Sequence, residues 1–184
     1  MNKKIVVLHG DSGAGKSTLA ISLCHALDSV GYSTAYVTPI DQLKLFLSDV
    51  YEVPLKDLYT QEGKAQKVTE RGLSLQDLLV KSYHFWEEVD DDISLRMLEQ
   101  SLLNEHGTDV IVVESIRKPY ESHEIISFAY TNDYDLLAYH LGGGEGLSTD
   151  TKQKECLKRY PSVRFLNKQE DFLDEVLVDL LPSE

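Results

Sequence analysis

Gly10-Asp11-Ser12-Gly13-Ala14-Gly15-Lys16-Ser17-Thr18 fits the pattern G-x-x-x-x-G-K-[ST] without a gap. Before it, Lys4-Ile5-Val6-Val7-Leu8-His9 is a short β-branched run that reads as a buried strand. After it, Leu19, Leu23, Ala26 and Leu27 recur at helical spacing. The pattern therefore lies between a strand and a helix, the context it requires. The bland alternative is a glycine-rich turn that binds nothing. Spacing, the Lys-Ser pair and the strand–helix context all argue against it. Gly13 and Gly15 do not complete the shorter G-x-G-x-x-G fingerprint.

Each residue type in the stretch has a physical job. Glycines permit positive φ and bring backbone N–H groups close to an anion. Those groups and the N-terminus of the following helix hold partial positive charge at fixed positions. Lys16 can reach the β- and γ-phosphates of a nucleotide, and the Ser17 hydroxyl can ligand Mg²⁺. Gly10 to Thr18 is thus a candidate ATP-binding loop, with ATP and Mg²⁺ as cofactors.

The chain has 184 residues, enough for one α/β domain with a substantial core. Its net charge of −13 argues against nonspecific nucleic-acid binding and against an anionic membrane surface. A phosphate ligand must therefore be held by a local cluster of cations. No apolar run approaches a membrane span, and the first one is short and ends in the glycine loop, so no signal peptide is expected. Cys24 and Cys156 are too few for a disulfide framework or a zinc site, and Cys24 reads as a small core residue. A reducing cytoplasm is expected.

Along the chain, Gly31 should cap the first helix. Ser33 to Thr38 reads as a second strand, and Pro39 ends it. Ile40 to Tyr51 is helical through Leu43, Leu47 and Val50, and residues 55–72 are polar. Two helices follow. One carries Leu75, Leu78, Leu79 and Ser82; the other carries Leu95, Leu98 and Leu102 after Asp90-Asp91-Asp92. Those aspartates read as a solvated helix start rather than a metal site. Asp109 to Glu114, Asp135 to Leu141 and Val163 to Leu166 read as three further strands, with a helix from Pro119 to about Tyr130 and another striped by Phe172, Leu173, Val176, Leu177 and Leu180. Five strands alternating with helices predict a parallel sheet covered on both faces. A single domain over 1–184 is expected, with a helical insertion at about 40–106 and a lid at about 142–160.

Four features narrow the chemistry. Glu114 ends an apolar strand, where ligands of open α/β sheets gather; it could order the water shell of Mg²⁺, or it could merely cap the strand. Arg117 follows, suited to bidentate phosphate binding or to a surface ion pair. The insertion carries spaced Lys and Arg. Gly142-Gly143-Gly144-Glu145-Gly146 precedes Lys152, Lys154, Lys158 and Arg159, which suits either a closing lid or a plain exposed loop.

Glu114-Ser115-Ile116-Arg117-Lys118-Pro119-Tyr120-Glu121 resembles the strand-exit motif D-x-R-[FY]-x-x-E of the bacteriophage-type deoxynucleoside monophosphate kinases. Pro39 to Lys44 resembles that family's P-(I/L)-K helix start, Tyr59 to Lys64 its Q-E-G-K turn, and Gly72 to Leu79 its G-x-T/S-x-R-x-L-L helix. Trp86 and Arg96 sit near the family's W and R, and Asn167 resembles its terminal N. The likeness covers most of the chain. Ser115 stands where the family has Asp, with Glu114 one place earlier. Gln76 stands where it often has Arg, and Gly142-Gly143-Gly144 where an Arg commonly follows the fourth strand.

The resemblance implies a nucleoside monophosphate kinase-like, three-layer P-loop NTPase fold. It also implies transfer of the γ-phosphoryl of ATP to a deoxynucleoside monophosphate. Lys16 and Arg117 would offset developing charge, and Ser17 and Glu114 would serve the metal. Asp41, Lys44, Lys64, Arg71, Gln76, Trp86 and Arg96 are the candidate acceptor residues. Nucleotide substrates and a homodimer are expected, with no membrane and no stable nucleic-acid partner. Two alternatives stay open. One is a small-molecule kinase with a hydroxyl acceptor, with Glu114 or Asp41 as general base. The other is a nucleotide-binding regulatory protein without turnover.

Overall fold

The computed structural model describes residues 2–10, 14–142, 155–166 and 171–181. Its chain divides into two compact units, Met1–Thr38 with Leu102–Glu184, and Pro39–Ser101. The expected insertion overlaps the second.

The first unit is built on five parallel strands in the order β2-β3-β1-β4-β5. They are β1 (Lys3–Gly10), β2 (Thr34–Val37), β3 (Val110–Glu114), β4 (Tyr134–Leu141) and β5 (Arg164–Leu166). Every residue of β3 is buried, as are Ile5 to Gly10 of β1. Continuous apolar runs of this kind belong to strands covered on both faces. On one face Val6, Leu8, Val110, Val112, Tyr139, Leu141 and Leu166 pack against two helices. These are α1 (Lys16–Ser29), through Leu19, Ala20, Leu23, Cys24 and Leu27, and the C-terminal helix (Phe172–Leu180), through Phe172, Val176 and Leu180. Lys4 Nζ donates to the Asp179 and Leu180 carbonyls at 3.0 and 3.1 Å, placing a cation at that helix's negative end.

Alternation puts Ile5, Val7, His9, Ile111, Val113, Ala138 and His140 on the opposite face. The helix Pro119–Thr131 packs against β4, buries Ile125, Phe128 and Ala129, and contributes nothing to the first cluster. Proline at its first turn lacks the N–H that would be unpaired there.

The second unit has its own core of Leu43, Leu47, Leu58, Leu75, Leu78, Leu79, Tyr83 and Met97. These come from α2 (Asp41–Tyr51), a 3₁₀ turn (Leu55–Leu58), the long helix Leu75–Val89 and the helix Ile93–Asn104. The polar stretch 55–72 is more ordered than its composition suggests. It holds the 3₁₀ turn and α3 (Gln61–Lys64), whose first turn Thr60 caps by accepting from the Gly63 N–H at 3.1 Å. Numbered in chain order, these and two further helices are α4 (Leu75–Val89), α5 (Ile93–Asn104), α6 (Pro119–Thr131) and α7 (Phe172–Leu180). Ser74 and Asp77 form a reciprocal capping box at the start of α4, and those bonds hold the exposed Asp77 carboxyl below its usual range. No described helix is long and apolar enough to cross a membrane.

Candidate functional site

The loop after β1 begins where backbone crowds backbone. Gly10 has φ +142°, and a Cβ there would lie 2.3 Å from the Leu141 carbonyl oxygen of β4. Only glycine lets β1 run on beside β4 at that point. Asp11, Ser12 and Gly13 lie outside the described residues. The chain is described again from Ala14, and Gly15, at φ +88°, caps α1. Lys16 and Ser17 thus open a 14-residue helix whose first N–H groups face the loop. Lys16 Nζ donates to the Gly10 carbonyl at 2.9 Å, across the mouth of the loop. Thr18 is exposed.

Register explains what comes next. Leu8 pairs with Glu114, so the end of β3 is level with Leu8, two residues before β1 ends, on the face that carries α1. Glu114 is 4 % exposed. Its Oε1 accepts the Ser17 hydroxyl at 2.8 Å and also the Tyr36 hydroxyl from β2. Its Oε2 takes no hydrogen bond from a described residue. A hydroxyl and a carboxylate on facing elements make a hard-oxygen donor set, which fits Mg²⁺. Ser17 would be the ligand, and Glu114 would accept from metal-bound water.

The chain then turns sharply. Ser115 has φ +64°, a left-handed conformation uncommon for a side chain with a Cβ. Glu121, 1 % exposed, accepts the backbone N–H groups of Arg117 and Lys118 at 2.8 and 3.0 Å. The acid that the resemblance aligns with a family glutamate is therefore a brace for the strand exit. It fixes the backbone of Arg117 and leaves the side chain free. Arg117 is exposed, and its guanidinium makes no ion pair or hydrogen bond with a described residue. The surface ion pair offered as its alternative role is absent among those residues.

The other face of the same edge carries a buried polar row. His9 and His140 are register partners, both 2 % exposed. The Tyr160 ring meets His9 edge-on at 5.2 Å, and Phe165 meets His140 at 5.5 Å. Neither His9 nitrogen has a hydrogen-bond partner among the described residues, and the buried Tyr160 hydroxyl has none of suitable geometry. Burial, then the charges of His140 and Lys16, lower the pKa of His9 to about 3. Its imidazole is neutral at ordinary pH.

Among the second unit's candidates, the structure brings together Asp41 and Lys44. Lys44, 4 % exposed, lies 3.2 Å from Asp41 Oδ1, and the Tyr59 hydroxyl donates to the same oxygen at 2.7 Å. The Lys44 ammonium also sits 3.8 Å from the Tyr59 ring centroid. Trp86 is half-buried, its ring 5.9 Å from Phe46. Lys64 ends α3 and is half-buried. Arg71 and Gln76 are exposed, with no side-chain bond to a described residue. Arg96 is exposed and pairs with Asp90 at 3.0 Å, which raises the Arg96 pKa and lowers that of Asp90. Asp90 Oδ1 also accepts the Asp92 N–H at 3.0 Å. This is the helix-start role expected of the aspartate run. Asn167 and residues 143–154 of the expected lid lie outside the described residues.

Sequence reasoning missed Tyr36, Tyr59, His9, His140 and Tyr160. His9 directly precedes the loop and could have been singled out. Tyr36 needed the strand order, and Tyr160 lies far along the chain from the His9 ring it meets.

No protein-family model matches this chain, and no curated protein does. Two solved structures share its architecture over nearly the whole length. A point mutant of the Mycobacterium tuberculosis APS kinase superposes with a TM-score of 0.50 at 18% identity, covering 99% of this chain and 99% of that one. A kinase candidate from Chloroflexus aurantiacus superposes with a TM-score of 0.51 at 10% identity, covering 98% and 97%. The fold is that of the P-loop NTPases. Gly10 to Thr18, the stretch that fits the G-x-x-x-x-G-K-[ST] pattern, begins at the last residue of β1 and ends within α1.

Proposed function

We propose that the protein is an ATP-dependent phosphotransferase that moves the γ-phosphoryl group of ATP to a deoxynucleoside monophosphate. The observation that carries the reading is the Ser17–Glu114 hydrogen bond behind a P-loop whose Lys16 spans its mouth. Phosphoryl transfer asks little covalent chemistry of the protein; it asks for in-line positioning and charge neutralisation. The N–H groups at the start of α1 hold the phosphates, and Lys16 leaves the Gly10 carbonyl for the β- and γ-phosphate oxygens. Bound Mg²⁺ neutralises phosphate charge and fixes the phosphate geometry. Arg117, unpaired on a braced backbone, approaches the transferring group, where charge spreads over its oxygens in the transition state. The acceptor phosphate is already anionic, so no catalytic base is required.

The acceptor class rests on the order of the resembling segments, with Arg71, Arg96 and Lys64 as its phosphate contacts. A second reading, a kinase with a hydroxyl acceptor, is favoured by the likeness to an APS kinase fold. One assay separates them: ADP release from ATP across deoxynucleoside monophosphates, ribonucleoside monophosphates, sugars and alcohols. Turnover confined to deoxynucleoside monophosphates supports the proposal. Turnover with a hydroxyl acceptor replaces it. ATP binding without acceptor-dependent ADP release identifies a regulatory protein.

A further inference from the structure

Tyr36 stands on β2, two strands away from the P-loop strand, and its Cα pairs with Val112 rather than Glu114. Its side chain lies against the core formed with α1 and reaches one residue pair further toward the carboxyl edge, where its hydroxyl meets Glu114 Oε1. Phenylalanine would fill the same apolar space. The hydroxyl is what reaches the carboxylate, and a carboxylate accepting from it obliges Tyr36 to donate.

The same logic applies to Ser17. Its hydrogen is committed to Glu114 Oε1, so its oxygen lone pairs face away from the carboxylate. Two hydroxyl donors converge on one oxygen of a buried carboxylate, and the other oxygen takes no bond from a described residue. Ser17 alone would leave the carboxylate free to swing about its own side-chain torsions. A second donor from a different strand removes that freedom.

We infer that Tyr36 is a positioning residue for the metal–nucleotide site. By clamping Glu114 Oε1, it turns the Ser17 lone pairs and Glu114 Oε2 toward the cation that accompanies the nucleotide phosphates. The inference rests on the P-loop phosphotransferase reading and extends it to a residue outside the P-loop and the β3 exit.

The test uses full-length protein, Mn²⁺ as the probe metal and β,γ-methylene-ATP as a nucleotide that cannot turn over. Free Mn²⁺ is read by electron paramagnetic resonance, and metal-free nucleotide affinity by calorimetry in EDTA. Loss of a partner that orients a metal-site group commonly costs on the order of tenfold in metal affinity. Tyr36→Phe is therefore expected to weaken Mn²⁺ binding to the nucleotide complex by roughly tenfold, with metal-free nucleotide affinity and melting temperature near wild type. Tyr36→Leu should add a loss of stability, because it also empties part of the core. Unchanged Mn²⁺ affinity in Tyr36→Phe, with Ser17→Ala weakened, overturns the role of Tyr36 and leaves the P-loop reading standing. Equal losses with and without metal, together with a lower melting temperature, reduce Tyr36 to a core residue. If neither Ser17→Ala nor Lys16→Ala alters nucleotide or Mn²⁺ binding, the underlying reading fails and the inference falls with it.

Discussion

His9 makes the stability of this protein depend on pH in a way that one substitution should isolate. The residue immediately precedes Gly10 and is buried with His140, Lys16 and Tyr160 as its neighbours. Its folded pKa is about 3, against an ordinary value of 6.5. As pH falls through 6.5 the unfolded chain takes up a proton that the folded chain refuses until about pH 3. Stability is therefore fully present above 6.5 and is lost progressively between 6.5 and about 3. The slope in that window is about 1.4 kcal/mol per pH unit. From pH 7 to pH 5 the loss is about 2 kcal/mol, which for a chain of this size lowers the melting temperature by about 4–8 °C.

His9→Leu removes the titrating group and the two buried nitrogens that lack partners. Denaturant unfolding of both proteins at pH 7, 6 and 5 cancels every other group that titrates in common. The variant should equal or exceed wild type at pH 7, because leaving a buried polar group unpaired costs about 1–3 kcal/mol. Its advantage should then widen by about 2 kcal/mol by pH 5. Parallel stability profiles across that range would refute the reasoning and mean that His9 is solvated or paired.

Three other substitutions probe the loop and the strand exit. Lys16→Ala should leave the fold intact and lower kcat/KM on the order of 10²-fold or more, as the loss of one such electrostatic contact typically does; unchanged kcat/KM would remove the P-loop from the chemistry. Arg117→Lys keeps the charge but loses the planar fork, so kcat should drop at least roughly tenfold, about 1.4 kcal/mol of barrier, with ATP affinity steady; near-normal kcat would take Arg117 out of the site. Gly10→Ala sets a Cβ 2.3 Å from the Leu141 carbonyl oxygen at φ +142°, a strain of order 1–3 kcal/mol, to be read as a lower denaturant midpoint.

The parts of the fold visible in the sequence are those that local pattern dictates. Five apolar runs separated by helical periodicities are five strands, and Gly10 to Thr18 falls between the first strand and helix because its residue types require it. What escaped was whatever depends on strand order. Nothing local says that β3 lies between β1 and β2, yet that order sets Tyr36 within reach of Glu114 and Ser17. The His9–His140 pair is likewise a consequence of parallel register between strands far apart in sequence. Helical spacing likewise could not reveal that Tyr59, from a later turn, lies over the Lys44 ammonium. Glu121 resembled a family acid, but its burial and its two backbone partners give it an architectural role.

The chain's five arginines sort by their partners. In a protein of net charge −13, a cation that avoids its own carboxylates stands out. Arg96 is tied to Asp90, and Arg164 to Asp179 and Glu175. Arg71, Arg117 and Arg159 make no ion pair with a described residue. The Arg96 pair is exposed, so solvent screens it and a phosphate can compete for the guanidinium. Lys44 differs. Its ammonium is buried against Asp41 and the Tyr59 ring, and removing it to meet a ligand would leave the partly buried Asp41 carboxylate without its counter-charge. Arg71, Arg117 and Arg159 are thus the exposed arginines without an ion pair to a described residue, and Arg96 is the one whose pair solvent can loosen. Asp41, Lys44 and Tyr59 form one fixture at the start of α2.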